Sequence, residues 1–176
     1  MSSFTYKSLP DGGNFTRMVQ LLPNVNSDAP VECHLLDYDL GSTEYQPHVY
    51  EALSYCWGSQ NKPESAILNG LTLPITTNLK AALQHLRDSQ LPRTVWIDAI
   101  CINQDDNKEK GKQIPLMRRI YAQASQVIVW LGDCTDAGDK ALEELRDPAM
   151  IWTGYSEITS KLLQRDWFQR IWVSFI

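Results

Sequence analysis

The hydrophobic pattern of the chain centres on residues 93–132. Residues 94–97 and 127–131 are nearly continuous apolar runs, rich in β-branched and aromatic side chains. Such runs suit strands that are covered on both faces. Between them a polar run spans 105–112. Ile114, Met117, Ile120, Tyr121 and Ala124 then recur at three- and four-residue steps, which predicts one apolar stripe on a helix. Strand, helix and strand make a βαβ unit with a right-handed crossover. Ligands of open α/β sheets collect beyond the carboxyl ends of the strands. Asp98, Asn103 and Gln104 stand at that position in the sequence.

Upstream, residues 15–22 and 31–40 read as strands, and 50–57 as a third, closed by Gly58. Residues 66–68 and 71–75 flank Asn69-Gly70, the dipeptide of a type I′ hairpin, and Pro74 marks the second strand as an edge. Thr77 or Asn78 caps the next helix, whose buried face is Leu79, Ala82, Leu83 and Leu86. Pro92 ends it. Short helices are expected at 139–146 and 157–163. The whole predicts an α/β fold of three layers, a mainly parallel central sheet with helices on both faces, plus an edge β-hairpin. Residues 1–49 form an N-terminal extension whose two strands pack on a domain at 50–176. The chain stops on Ile-Trp-Val-Ser-Phe-Ile, an apolar run where domains seldom finish, which points to a shortened C-terminus.

Charge narrows the function classes. The net charge is -5, and Lys108, Lys110 and Lys112 alternate with Asp105, Asp106 and Glu109, as on a solvated helix start. No basic stripe for nucleic acid results. Cys33, Cys56, Cys101 and Cys134 show no C-x-x-C spacing, so neither a disulfide scaffold nor a zinc site is expected. Cys33 and His34 are adjacent and so face opposite sides of a strand. No apolar run approaches the ~20 residues of a membrane span, and a reducing, cytoplasmic setting is expected.

Three blocks together carry a resemblance. They are Tyr50-Glu51-Ala52-Leu53-Ser54-Tyr55-Cys56-Trp57-Gly58, then Trp96-Ile97-Asp98-Ala99-Ile100-Cys101-Ile102-Asn103-Gln104 continuing to Gly132, and Arg165-Asp166-Trp167-Phe168-Gln169-Arg170-Ile171-Trp172-Val173. In this order they resemble the fungal heterokaryon-incompatibility (HET) domain. The resemblance implies an interaction and effector module in nonself recognition and programmed cell death, with protein partners of its own or another kind. It also implies a distant similarity to TIR domains, a flavodoxin-like fold that in some members cleaves NAD.

Several residues then become candidates for chemistry. Glu51 is either an acid/base group or polar anchor facing the site, or a strand-end carboxylate paired with an Arg or capping a neighbouring loop. Asp98 either contacts a ligand or accepts backbone N–H bonds that hold the loop after it. In the alternative reading, an NAD glycohydrolase, Glu51 or Asp98 is catalytic and Trp57 stacks on nicotinamide or adenine. Tyr55, Gly58, Asn103 and Gln104 complete the cofactor-facing set, with NAD the only cofactor implied and no metal. The family pattern continues after the last Trp-Val as x-Gln-Glu, whereas this chain has Ser174, Phe175 and Ile176. If the TIR similarity extends that far, Ile176 occupies the place of a catalytic glutamate, and the enzyme would be silent.

Overall fold

A computed structural model describes residues 3–12, 14–41, 49–133, 140–143, 146, 160, 162, 164–165 and 167–168. The chain divides into two units, Met1–Trp130 and Leu131–Ile176. In the first, β1 (Phe15–Leu21) and β2 (Glu32–Asp39) are followed by β3 (Glu51–Tyr55), β4 (Glu64–Leu68), β5 (Leu71–Ile75) and α1 (Thr77–Leu86). Then come β6 (Arg93–Trp96), α2 (Asp98–Cys101), α3 (Asn107–Gln123) and β7 (Gln126–Trp130). The strands form one sheet in the order β5-β4-β2-β1-β6-β3-β7.

This corrects the expectation of a mainly parallel, three-layer sandwich. The sheet is mixed. β1 runs antiparallel to both its neighbours, β2 and β6, and β4 pairs antiparallel with β5. The parallel pairings are β2–β4, β3–β6 and β3–β7. Among the described residues the helices are also too few for two full layers, α2 being a single turn of four residues. The reason lies in β1. It is tied to β2 as a hairpin with Phe15 opposite Asp39 and Leu21 opposite Cys33, and it lies inside the sheet with Thr16 to Val19 all buried. A hairpin placed in the middle of a sheet forces reversed pairing there. The 93–132 unit is present as strand, helix and strand, but β3 lies between its two strands.

Local signals are realised closely. Asn69 and Gly70 take φ values of 52° and 78°, as a type I′ turn requires. β5, with Pro74, stands at the sheet edge, where a missing N–H costs no ladder bond. Cys33 is buried and His34 exposed. Helix α1 buries Leu79, Ala82, Leu83 and Leu86. Its cap is Thr76, whose Oγ1 accepts from the Leu79 N–H at 3.2 Å, not Thr77 or Asn78. Asn78 is used elsewhere: its Nδ2 donates to the Cys56 carbonyl at 2.6 Å and its Oδ1 accepts from Trp130 Nε1 at 2.9 Å. One side chain thereby links the carboxyl ends of β3 and β7.

Helix α3 departs from its expected stripe. Ile120 and Tyr121 are buried, with Met117 and Ala124 packed against the core, but Ile114 is 59% exposed. The inward face instead starts with Glu109 and Gln113. These continue the four-residue step of Met117 and Tyr121 toward the amino end. Gln113 donates to the Phe15 carbonyl at 2.7 Å. Farther along, Tyr121 packs edge-to-face on Trp96 with ring centroids 5.6 Å apart and donates to the Leu53 carbonyl at 3.0 Å.

Glu109 is part of the strongest polar contact in the unit. Arg17, on central strand β1 and 2% exposed, donates to its two carboxylate oxygens at 2.6 and 3.0 Å. The guanidinium also donates to the Cys101 carbonyl at 3.0 Å and the Lys7 carbonyl at 2.7 Å, and it lies 5.1 Å from the centre of the Tyr6 ring. Glu109 in turn accepts from the Asn103 N–H at 2.7 Å. A bidentate pair whose guanidinium and carboxylate carry further hydrogen bonds is the arrangement that makes a buried charge tolerable.

In the second unit, residues 140–143 are helical and Arg165 Nη1 donates to the Leu131 carbonyl at 2.8 Å. Trp167 and Phe168 meet edge-on with centroids 5.1 Å apart. The rest of the helices expected at 139–146 and 157–163 lies mostly outside the described residues, as do Cys134, Trp172 and residues 174–176 entirely.

Removing only one partner of the buried pair strands the other. Arg17→Met is therefore expected to lower the unfolding free energy by about 3–5 kcal/mol, read from urea denaturation. Combining it with Glu109→Leu should recover part of that loss; an equal or greater loss in the double variant would contradict the role assigned to the pair.

Candidate functional site

The carboxyl ends of β3 and β6 meet around Trp57 and Asp98. Strand β6 runs through Trp96 into Ile97, which caps α2, so Asp98 is the first helical residue. Asp98 is 8% exposed. Its Oδ1 accepts from the Ala99 N–H at 2.7 Å, and both its oxygens lie 3.1 Å from Trp57 Nε1, which donates to them. A carboxylate at a helix amino end, holding backbone and indole N–H groups, is favourably placed for negative charge. Trp57 reaches it because β3 ends at Tyr55 and Gly58 then turns the chain with a φ of +69°. A side chain at position 58 would find nothing within 4 Å, so the backbone conformation alone favours glycine there.

The loop after α2 is closed by its own amides. Gln104 Nε2 donates to the Asp98 carbonyl at 2.9 Å, and Asn103 Oδ1 accepts from the Asp105 N–H at 3.2 Å. Within α2 the Ile97 N–H donates to Cys101 Sγ at 3.3 Å. Burial pushes the Cys101 thiol up to about 12, against the opposing pull of the Ile97 N–H and Arg17. Burial likewise raises Cys33 to about 12.

Beside Trp57 opens a cavity of about 270 Å³. Tyr55 and Trp57 supply aromatic wall, Ile75 and Leu79 aliphatic wall, and Gln104 and Lys110 polar rim. Of the residues picked out from sequence, Tyr55, Trp57 and Gln104 line it, and Asp98 holds Trp57 from behind. Asn103 and Gly58 stand in the adjoining loops but are not among the lining residues.

Glu51 is elsewhere. It is the first residue of β3, level with Val95 in the parallel register, whereas Trp57 follows the strand's other end. Arg93 Nε and Nη2 donate to its two oxygens at 2.9 and 2.8 Å, and Arg93 Nη1 donates to the Leu86 carbonyl at 2.8 Å. The arginine partner is thus the environment found, and the three residues Glu51, Trp57 and Asp98 do not converge. Two lysines on the cavity wall, Lys62 and Lys110, were not among the candidates. Lys110 sits in a charged run in which nothing local marks one ammonium from the next.

Comparison with known proteins decides the family. The family described as Heterokaryon incompatibility protein (HET) matches residues 50–174, well over half of the chain. The chain belongs to the HET family. The match opens at Tyr50, the residue before β3, and takes in the Trp57–Asp98 contact and all of α3 and β7. A curated HET relative, heterokaryon incompatibility protein 6, OR allele, of Neurospora crassa, is 42% identical over 114 residues. That alignment covers 57% of this chain and 17% of the relative, so the chain spans only a small part of that protein's length. No solved structure matches the chain. No helix among the described residues of this HET chain is long and apolar enough to cross a membrane.

Two outcomes follow from this geometry. Asp98→Ala removes the acceptor for two part-buried donors and is expected to cost about 1–3 kcal/mol, with Asp98→Asn costing less; a change within the error of the urea midpoint would show that the contact is incidental. For the thiols, Cys33 and Cys101 stay protonated when folded, so their contribution to stability is complete below 9.0 and is lost as pH rises from there toward about 12. Mass-spectrometric mapping after brief alkylation at about pH 8 should find both unmodified in native protein and both modified in urea.

Proposed function

We propose that this chain is an interaction and effector module of fungal nonself recognition. It assembles with itself or with other death-signalling proteins and triggers programmed cell death in the cytoplasm. The observation that carries this reading is membership of the HET family across residues 50–174. The similarity to a Neurospora heterokaryon incompatibility protein over 114 residues supports it.

The local chemistry favours a module over the NAD glycohydrolase alternative. A general base or nucleophile has to reach its target atom. Both oxygens of Glu51 are taken by Arg93, at the end of β3 away from Trp57. The Asp98 carboxylate faces the Trp57 indole and the Ala99 N–H. For the glycohydrolase speaks the presence of Tyr55 and Trp57 on the lining of the cavity.

Induced expression of the full chain in a filamentous fungus is expected to reduce hyphal survival, scored with a vital dye. The purified chain is expected to self-associate with rising concentration in light scattering and to release no nicotinamide from NAD in sustained turnover. Turnover abolished by Asp98→Asn would replace this reading with the enzymatic one. A chain that is harmless to hyphae and monomeric throughout would remove the effector reading.

A further inference from the structure

We infer that the cavity beside Trp57 is a binding site for a small aromatic phosphate of mononucleotide size. The inference starts from the cavity walls and needs neither self-association nor cell death. The lining includes the flat side chains of Trp57 and Tyr55 and the aliphatic ones of Ile75 and Leu79. Such a slot removes an aromatic ring from water and can stack it.

Charge specifies the rest of the ligand. The chain as a whole carries a net charge of -5, yet the lining includes two lysines, Lys62 and Lys110, and no acidic residue. Three nearby acids are already committed. Asp98 faces the Trp57 indole, Glu109 is bound by Arg17, and Glu64 is bound by Lys80 at 2.6 Å. Neither Lys62 nor Lys110 has an ion-pair partner among the described residues. Two lysines on the lining of one space, with no acidic residue there, favour an anion over a cation as its occupant. Thr76 and Leu79 bring the amino end of α1 to the same space. The first turn of that helix has no acidic residue, so its dipole adds to the field of the lysines without being needed for the case.

Volume limits the size. At about 270 Å³ the space lies just under the range of roughly 300–1,000 Å³ common for drug-sized ligands. One ring system with a phosphate is compatible with that volume. Trp57 is fixed in place by Asp98, so the aromatic wall is formed before any ligand arrives, which lowers the cost of ordering on binding.

The test is calorimetric titration of the full chain with AMP, adenosine and inorganic phosphate. AMP is expected to bind with a Kd between about 10 µM and 1 mM, and adenosine and phosphate each at least about tenfold more weakly. Raising salt should weaken AMP binding. The double variant Lys62→Gln/Lys110→Gln should lose at least about tenfold in AMP affinity while keeping the wild-type melting temperature, because Lys62 is exposed and Lys110 only half-buried. Trp57→Phe, which keeps a ring, should weaken AMP less than Trp57→Ala. The inference is overturned by no AMP binding at about 5 mM, by phosphate alone binding as tightly as AMP, or by equal AMP affinity in the double-lysine variant. AMP binding without NAD cleavage or cell death would uphold the site while the functional reading failed, so the two failures are distinguishable.

Discussion

The buried pair between Arg17 and Glu109 is the constraint on which the first unit depends. One charge sits on the central strand and the other on the first turn of α3. The bonds they share with Lys7, Cys101 and Asn103 draw the N-terminal segment, the α2 turn and the loop after it onto the same point. A guanidinium at 2% exposure would be strongly unfavourable without such partners. Such a pair is weak evidence for net stability, since apolar replacements of similar volume often do as well. What it imposes is register: a one-residue slip of β1 moves Arg17 to the other face of the sheet and away from Glu109.

That register matters for the site because the same elements shape it. Cys101, whose carbonyl binds Arg17, belongs to the one-turn helix that opens with Asp98. Asp98 in turn positions Trp57 across from β6, and Asn78 ties the end of β3 to Trp130 of β7. Polar side chains thus fasten the strand ends on the Trp57 side, while Glu51 and Arg93 fasten β3 to β6 at the other. Between these two clamps, the middle of β3 is wholly buried from Ala52 to Tyr55.

Membership of the HET family gives the cavity and the module reading a common setting. The family match begins at β3, yet β3 reaches the rest of the sheet through β6, and β6 leans on β1, which comes from the sequence before the match. Residues 15–39 therefore supply two inner strands of the same sheet. A domain cut at residue 50 would leave β6 without its antiparallel neighbour and Glu109 without Arg17.

Local chemistry was legible in the sequence. Asn69-Gly70, Pro74, the inward face of α1 and the seven strand segments all follow from turn geometry and side-chain period, which act over a few residues. The motif blocks around Trp57 and Asp98 were equally visible, and so was the chance that an arginine would claim Glu51. What the sequence could not decide was the order of strands, because hydrogen-bond partners along a sheet edge are chosen by distant segments rather than by neighbours. Nor could it show that Glu109 and Gln113 face inward. Polarity is ordinarily a mark of the solvated side, and here a buried arginine and a backbone carbonyl, both supplied by β1, reverse it. The cavity belongs to the same class: the loop carrying Trp57 and Lys62, α1 with Leu79 and α3 with Lys110 are three separate segments, and folding alone brings them to one space.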